Sequence, residues 1–416
     1  MSTPSIKVGQ GNWGIKAGNL LGYANTEKKF SPVEFTSSRA LDTATRVNAS
    51  GNIAIVNANI PRIDYFGGQA SLLVEPSAQN LALRSAGFEV SGTWAPTNTS
   101  ITTGTTAAFT APDNSTDADL LTSTTSGSLF VGQSIAIASG TYTISVFAKA
   151  GTSQILSLGN VSRNLRGAWF NLNAGAVTGT VNGGTASMQN YGNGWYRCIY
   201  TSSGMVSGTN ALIVGLADAA NALTATIGTN LYVWGAQLET GSVATSYIPT
   251  TTGAVTRNAD VISVTGVAGL IGQTEGTFYL DITYSYKGSA TSTRWLEISG
   301  PSNNIGLAVT NTDVVRSIVN GSSDILVSGP SISSGVKIAW GYDGSGVVCF
   351  VNGTQYTLTN GGAQVITALD KVSIDMSSVG GSRIDNARIR AVEIYQTRLP
   401  NTTTDGSPSL QSITTL

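Results

Sequence analysis

The run "TYTISVFAKAG", residues 141–151, decides the class of fold. Tyr142, Ile144, Val146 and Ala148 fall on one side, and Thr141, Thr143, Ser145 and Phe147 on the other. That is the two-residue period of a strand with one face in a core. Working outward, "AWFNLNAGAVTGT" (168–180) reads as a hairpin about Asn173-Ala174-Gly175, and "GNGWYRCIYTSSG" (192–204) as a further strand between Gly and Asn turns. In "TNLYVWGAQLETG" (229–241), strict alternation places Tyr232, Trp234, Ala236 and Leu238 on one face and Val233, Gly235, Gln237 and Glu239 on the other. Upstream, "ATRVNASGNIAIV" (44–56) is a hairpin turning at Ala49–Asn52. Downstream, "WGYDGSGVVCFVNGTQYTL" (340–358) holds two hairpins, turning at Asp343-Gly344 and Asn352-Gly353. The tail "SPSLQSITTL" is expected to form one short helical turn.

Composition agrees. Charged residues are 11% of the 416, against roughly 25% in an average soluble chain, while Gly numbers 49 and the hydrophobic share is 41%. Helix formers such as Glu, Lys and Met are sparse, and Thr and Gly mark many tight turns. The expectation is an all-β protein of two tandem β-sandwich (jelly-roll) domains. They follow an extended N-terminal arm (1–35) and a linking β-segment (36–84), and occupy 85–260 and 261–416.

Composition also excludes chemistry. The chain has no histidine and two cysteines, so Ser-His-Asp and Cys-His nucleophiles and histidine or thiolate zinc sites are ruled out. Cys198 and Cys349 each lie in a strand-like run and read as buried free thiols rather than a disulfide. Net charge is −1 with no Lys/Arg stripe, which removes the electrostatic term for nucleic-acid binding. The start shows no basic-then-apolar secretory pattern, and no apolar run approaches the roughly 20 residues that span a bilayer. Synthesis in a reducing cytoplasm without membrane insertion is expected.

Two stretches carry a resemblance to a known family. "PRIDYFGGQASLLVEPSAQNLALRSAGFE" (61–89) resembles the junction between N-terminal segment and first sandwich in bacteriophage tail-fibre and virion-associated proteins. "NGWYRC" (193–198), with "WGAQLETGSVATSYIPTTTGAVTRNAD" (234–260), resembles the final strands of that family's carbohydrate-binding-module-like sandwich. The family usually carries Arg-Thr before Asn-Leu; this chain has Ala78 and Gln79 before Asn80 and Leu81. Residues 262–416 are similar, more loosely, to concanavalin A-like (laminin-G type) sandwiches, through "GTFYLDITY", "VNGTQYTL" and "ARIRAVEIYQTRLPNTTTDGSPSLQSI".

The resemblance implies a fibre, spike or decoration protein of a virion, made in the host bacterial cytoplasm. It implies attachment to other virion proteins by the N-terminal arm, assembly as a homotrimer, and weak multivalent binding of host cell-surface polysaccharide. The alternative is a capsid- or tail-bound scaffold or cementing protein without ligand. A polysaccharide depolymerase ranks below both, because Asp281, Glu297 and Glu393 fall on separate strands and lack the close pairing a glycosidase needs. No catalytic residue is assigned.

The candidate sugar site is Trp169 with Arg163 and Arg166 in "RNLRGAWF", joined by Trp94. Most rings of this kind in β-sandwiches are core, and Trp195 reads as core. The structural-junction set is Arg62, Asp64, Glu75, Glu239, Arg257 and Asp260. In it Arg62 is paired with Asp64 and Arg257 with Asp260, because a guanidinium fork locks irregular backbone. Glu239 reads as an acceptor for backbone N–H groups where the chain leaves the sandwich. No cofactor is required; Asp113, Asp117 and Asp119 in "APDNSTDAD" are the candidate calcium ligands, a solvated loop being the plainer reading.

Overall fold

In the computed structural model the described residues are 3–10, 13–26, 29–160, 165–181, 183–284, 292–301, 303–310, 315–319, 322–325, 335–356, 367–375 and 386–415. They are almost all β, in two compact units. The central unit comprises Asp42–Ile55 and Ala78–Arg257; the terminal unit comprises Met1–Leu41, Val56–Ser77 and Asn258–Leu416.

The central unit is a sandwich of two antiparallel sheets. One runs Ala95–Thr97, Phe130–Ile137, Gly208–Ala217, Ile155–Asn160, Leu165–Asn171, Ala176–Thr180. The other runs Thr99–Thr103, Asp119–Ser123, Asn230–Thr240, Gly140–Ala150, Trp195–Met205, Thr185–Gly192. Tyr142, Ile144, Val146 and Ala148 face inward and pack with Leu156, Leu158, Phe170, Val214 and Leu216 of the facing sheet, together with Cys198. The opposite face of the Gly140–Ala150 strand is also covered. Phe147 packs with Trp195, Trp234 and Tyr247 in a second cluster that Ala111, Ala118 and Ile53 complete.

Strict alternation fails at one point in Asn230–Thr240. Its register against Gly140–Ala150 shifts between Ser145 and Phe147, and Gly235 takes φ +64°. A Cβ there would stand 2.9 Å from Phe147 Cδ2, so this bulge needs glycine. The extra residue inverts the phase. Leu231 and Val233 join Ala236 and Leu238 in the core, while Tyr232 and Trp234 turn outward. The faces expected from alternation therefore hold only within each half of the strand.

In the terminal unit one sheet runs Thr354–Tyr356, Gly346–Val351, Val336–Asp343, Gly276–Tyr284, Ala387–Tyr395, Ile6–Gly9, Asn19–Thr26, Lys29–Ser38. Ser71–Val74 and Arg62–Asp64 extend it beside the start of Ala387–Tyr395. The second sheet runs Ser322–Ile325, Val315–Val319, Asn304–Thr310, Ser292–Ser299, Lys371–Asp375, Val261–Thr265, and closes again on Lys29–Ser38. One strand thus belongs to both sheets: Phe35 pairs with Leu20 and Thr36 with Ser263. Phe278, Trp340 and Tyr342 form the aromatic centre of the core between them.

The segment expected as an extended attachment arm, 1–35, supplies strands to this sheet. Ile6–Gly9 pairs with Ala387–Tyr395 from Ile6↔Ile394 to Gly9↔Ala391, and Ile6, Val8, Leu20 and Phe35 are core. The physical reason is the alternation of small apolar groups in these residues, which gives them a face to bury once a partner strand is available.

The turns follow their residue types. Asn48 Oδ1 accepts from Ser50 and Asn52 N–H in the first hairpin, and Asn352 and Gly353 take φ +48° and +79° at a type I′ turn. The tail forms the helical turn Leu410–Thr414, capped by Ser409. Both cysteines are buried free thiols.

Candidate functional site

The buried charges answer the question of the junction. In the terminal unit Arg62 donates through Nη1 to Glu75 Oε2 at 2.8 Å, through Nε to Asp260 Oδ1 at 3.2 Å, and through Nη2 to Asp260 Oδ2. Arg39 donates from Nη1 to Asp260 Oδ1 at 3.0 Å, and to the Val56, Asn57 and Ile60 carbonyls. All four side chains are buried, and two positive charges meet two negative ones. The Arg62 guanidinium is held above its ordinary pKa: burial opposes its charge, and Asp260 and Glu75 more than offset that.

Asp64, expected to pair with Arg62, accepts from Arg388 Nε at 2.7 Å. Arg257, expected beside Asp260, is buried in the pairing of Val255–Arg257 with Ala78–Asn80, in the central unit, whereas Asp260 lies in the terminal one.

Glu239 accepts from Thr245 N–H at 3.0 Å and Thr245 Oγ1 at 2.5 Å, while Gln237 Oε1 accepts from Ile248 N–H at 2.7 Å. Arg197 donates to Thr245 O at 2.6 Å and to Ser145 Oγ. Burial raises the Glu239 pKa, with Arg197 and the Thr245 bonds working against it. Asn80 uses both ends of its amide. It donates to Ala236 O and Ile248 O, and accepts from Ala82 and Leu238 N–H. These residues fix where the chain leaves its last strand.

The expected sugar platform is not an open one. Trp169 is 2% exposed, packs with Ile155 and Ala217, and donates its N–H to Ala222 O at 2.7 Å. Trp94 is 1% exposed, lies 4.5 Å from Phe88 centroid to centroid, and donates to Arg84 O. Neither ring offers a face to a ligand. Arg163 and the side chain of Arg166 lie outside the described residues.

The acidic stretch 113–119 does not converge. Asp113 Oδ1 accepts from Ser115 N–H and Oγ, and Asp117 Oδ1 accepts from Ser115 Oγ and from Trp234 Nε1 at 3.0 Å. Asp119 is buried at the start of its strand, opposite Val233 across the ladder. Among the described residues, no group of three acids, cysteines or histidines is placed to hold a metal ion. Asp281 and Glu393 of the terminal unit are engaged as well. Asp281 meets Arg390 at 2.7 Å, and Glu393 accepts from Lys7, Gln10 and Tyr395.

What the central unit does offer is an open cleft of about 690 Å³, within the 300–1,000 Å³ usual for ligand sites. Arg84, Glu89, Thr103, Asp117, Asp119 and Thr250 are among its walls. The wall 84–90 is pinned: Arg84 N–H donates to Thr251 O, Ser85 Oγ and the Tyr247 hydroxyl share a 2.6 Å bond, and the Gln133 amide brackets Leu83. Elsewhere in the central unit the Lys149 ammonium sits 4.6 Å from the Tyr232 ring centroid and donates to Ala108 O. Thr103, Thr105, Thr116 and Thr251 stay exposed on the rim.

Asp119 is 1% exposed. Its Oδ2 accepts from Phe88 N–H at 2.8 Å, and the Glu89 carboxyl group hydrogen-bonds the same side chain. Burial, helped by the charges of Glu89 and Asp117 and opposed by the Phe88 bond, pushes this carboxyl up to about 8. The sequence flagged Asp119 only as part of an acidic run. Arg84, Glu89 and Thr250 carried no signal, because the cleft gathers loops far apart in the chain.

No known family profile matches this chain, and no curated protein matches it. Among solved structures it is similar to the binding domain of botulinum neurotoxin DC in complex with rat synaptotagmin II. That match has 10% identity and TM-score 0.30 and covers 35% of this chain and 38% of that one. The Ruminococcus gnavus IT-sialidase CBM40 bound to α2,3-sialyllactose matches at 15% identity and TM-score 0.25, over 31% of this chain and 80% of that one. The cellulose-induced protein Cip1 matches at 9% and 0.27, over 34% and 74%. The chain spans 38% of the length of the receptor-binding domains it matches. Likeness of this degree assigns no activity.

Proposed function

We propose that this chain is a non-catalytic bacteriophage virion protein, a fibre, spike or decoration component, that displays its sandwiches and binds host-surface glycan weakly through the central-unit cleft. The cleft carries the glycan half of this reading: its exposed threonine hydroxyls, Arg84 and three carboxylates match the donors and acceptors of a sugar. The virion half rests on the resemblance of residues 61–89, 193–198 and 234–260. Self-association as a trimer would multiply individually weak contacts. Attachment to other virion proteins belongs, in this reading, to the unit that holds the N-terminal strands.

The test is binding of the purified protein to intact host cells and to a bacterial glycan array, beside a Thr105→Trp/Thr251→Trp variant that fills the cleft from exposed positions. Saturable binding that the variant loses supports the reading. Saturable binding that the variant keeps places the glycan elsewhere. The ligand-free scaffold is the second reading, favoured by the burial of Trp94 and Trp169, and absence of binding even in multivalent format would favour it over the glycan reading.

A further inference from the structure

We propose that copies of this chain associate side by side through the central unit, along the edge where its two sheets end in the strands Ala176–Thr180 and Thr185–Gly192. The occupant of that edge is another copy of the chain. The inference rests on the self-association in the reading above and not on the glycan cleft.

The first observation is an open ladder. Thr185–Gly192 pairs with Trp195–Met205 from Thr185↔Thr201 to Asn190↔Tyr196, and its other edge meets no strand among the described residues. Ala176–Thr180 ends the facing sheet in the same way, against Leu165–Asn171. The eight residues of Thr185–Gly192 make an edge of roughly 27 Å. A bulge between Asn190 and Gly192 interrupts it near the turn and leaves 185–190 regular. Monomeric proteins guard such edges with lysine, proline or short strands. The opposite side of this sandwich has those guards: Ala95–Thr97 is three residues long with Pro96 at its centre, and Thr99–Thr103 is five. Thr185–Gly192 contains no proline, and between Arg166 and Arg197 the chain has no charged residue.

The second observation is what the edge presents. Ala186 and Met188 pack on the core yet are only half-buried, and Val177 of the neighbouring edge strand is 36% exposed. Another sheet edge alongside covers these groups and supplies partners to the open backbone N–H and C=O groups at once. The absence of charge selects the partner. Around a symmetry axis each residue lies near its own copies, so a charge on the contact would meet its like. A contact with a different protein is free of that restriction and gains specificity from complementary charge, which this edge lacks.

The experiment is sedimentation equilibrium of the full chain over a concentration series, beside two variants. Thr178→Lys/Ser187→Lys puts one lysine at an exposed position of each edge strand, and Ser100→Lys/Thr102→Lys adds the same charge on the opposite side. The unmodified chain and the opposite-side variant are expected to form the same oligomer. The edge variant should associate roughly 100-fold more weakly, with an unchanged urea midpoint. Amide exchange of the unmodified chain needs no variant and decides the matter if the lysines unfold the sheet. The outward N–H groups of 185–190 should exchange more slowly in the oligomer than after dilution to the monomer. An oligomer that the folded edge variant keeps, or exchange at 185–190 that ignores concentration, would overturn this edge and leave self-association standing. A monomer throughout would overturn both, whatever glycan the chain binds.

Discussion

Asp260 is the residue on which two buried guanidiniums converge, and Asp260→Asn is the sharpest test of how the terminal unit is held together. The substitution keeps the volume and one acceptor oxygen. It removes the negative charge that faces both Arg39 Nη1 at 3.0 Å and the Nε and Nη2 of Arg62, and it weakens the acceptor for Glu75 N–H at 3.0 Å. The substitution takes one negative charge away from two buried guanidiniums that Asp260 and Glu75 face. Breaking a buried pair in this way costs about 3–5 kcal/mol, because the remaining charge is uncompensated. For a unit of this size, that lowers the melting temperature by roughly 6–20 °C. Differential scanning calorimetry of the purified chain should show one transition moving by this amount and the other unmoved. Adding Arg62→Met to Asp260→Asn restores the charge balance between Arg39 and Glu75 and should recover part of the loss. A shift below about 1 kcal/mol for Asp260→Asn, or a double variant less stable than the sum of the single ones, would refute the network as drawn.

Trp169→Ala should destabilise the central unit by about 3–5 kcal/mol in urea titration, as loss of a buried indole does, without a selective effect on any glycan. A folded variant of unchanged midpoint would show the ring to be exposed in solution. Because the Asp119 carboxyl is raised in the folded state, that state holds a proton the unfolded chain has lost. Stability contributed by this group is therefore full below the ordinary carboxylate range and declines, by at most about 1.4 kcal/mol per pH unit, as pH rises towards about 8. Asp119→Asn should flatten that slope in urea midpoints measured across the window, and an unchanged slope would assign it elsewhere. Burial pushes Cys349 up to about 12 and Cys198 well above the usual thiol range, so a disulfide-exchange reagent should find no reactive thiol until the protein unfolds. Rapid native labelling would contradict their placement.

The strands and hairpins were legible because their signals are local. The alternation of Tyr142 to Ala148 and the Asn352-Gly353 turn each need only a few neighbouring residues to be read. What was not legible is non-local. The phase of Asn230–Thr240 inverts at Gly235, and glycine in a strand does not by itself announce a bulge. Residues 1–35 look like a polar arm until Ala387–Tyr395 provides the ladder for Ile6–Gly9. Arg39 stands in an unremarkable "SSRAL" and still reaches Asp260 across 221 positions. The Trp169 platform failed for a related reason: adjacent arginines suggest a wet site, but the neighbours that bury this indole come from Ile155, Ala217 and Ala222. The cleft shared that fate, being assembled from three loops and a strand end.

The chain passes from the terminal unit to the central one and back twice, at 41/42, 55/56, 77/78 and 257/258. That connectivity sets an order of events during synthesis. Everything the central sandwich requires has left the ribosome soon after Arg257, so it can close while translation continues. The strand Ile6–Gly9 must wait for Ala387–Tyr395, since Ser5 and Ile394 are 389 positions apart. At bacterial elongation rates of about 5–20 residues per second, that is a wait of roughly 20–80 s with an unpaired strand edge exposed. A nascent chain stalled after residue 260 would accordingly carry a protease-resistant middle behind a protease-labile beginning.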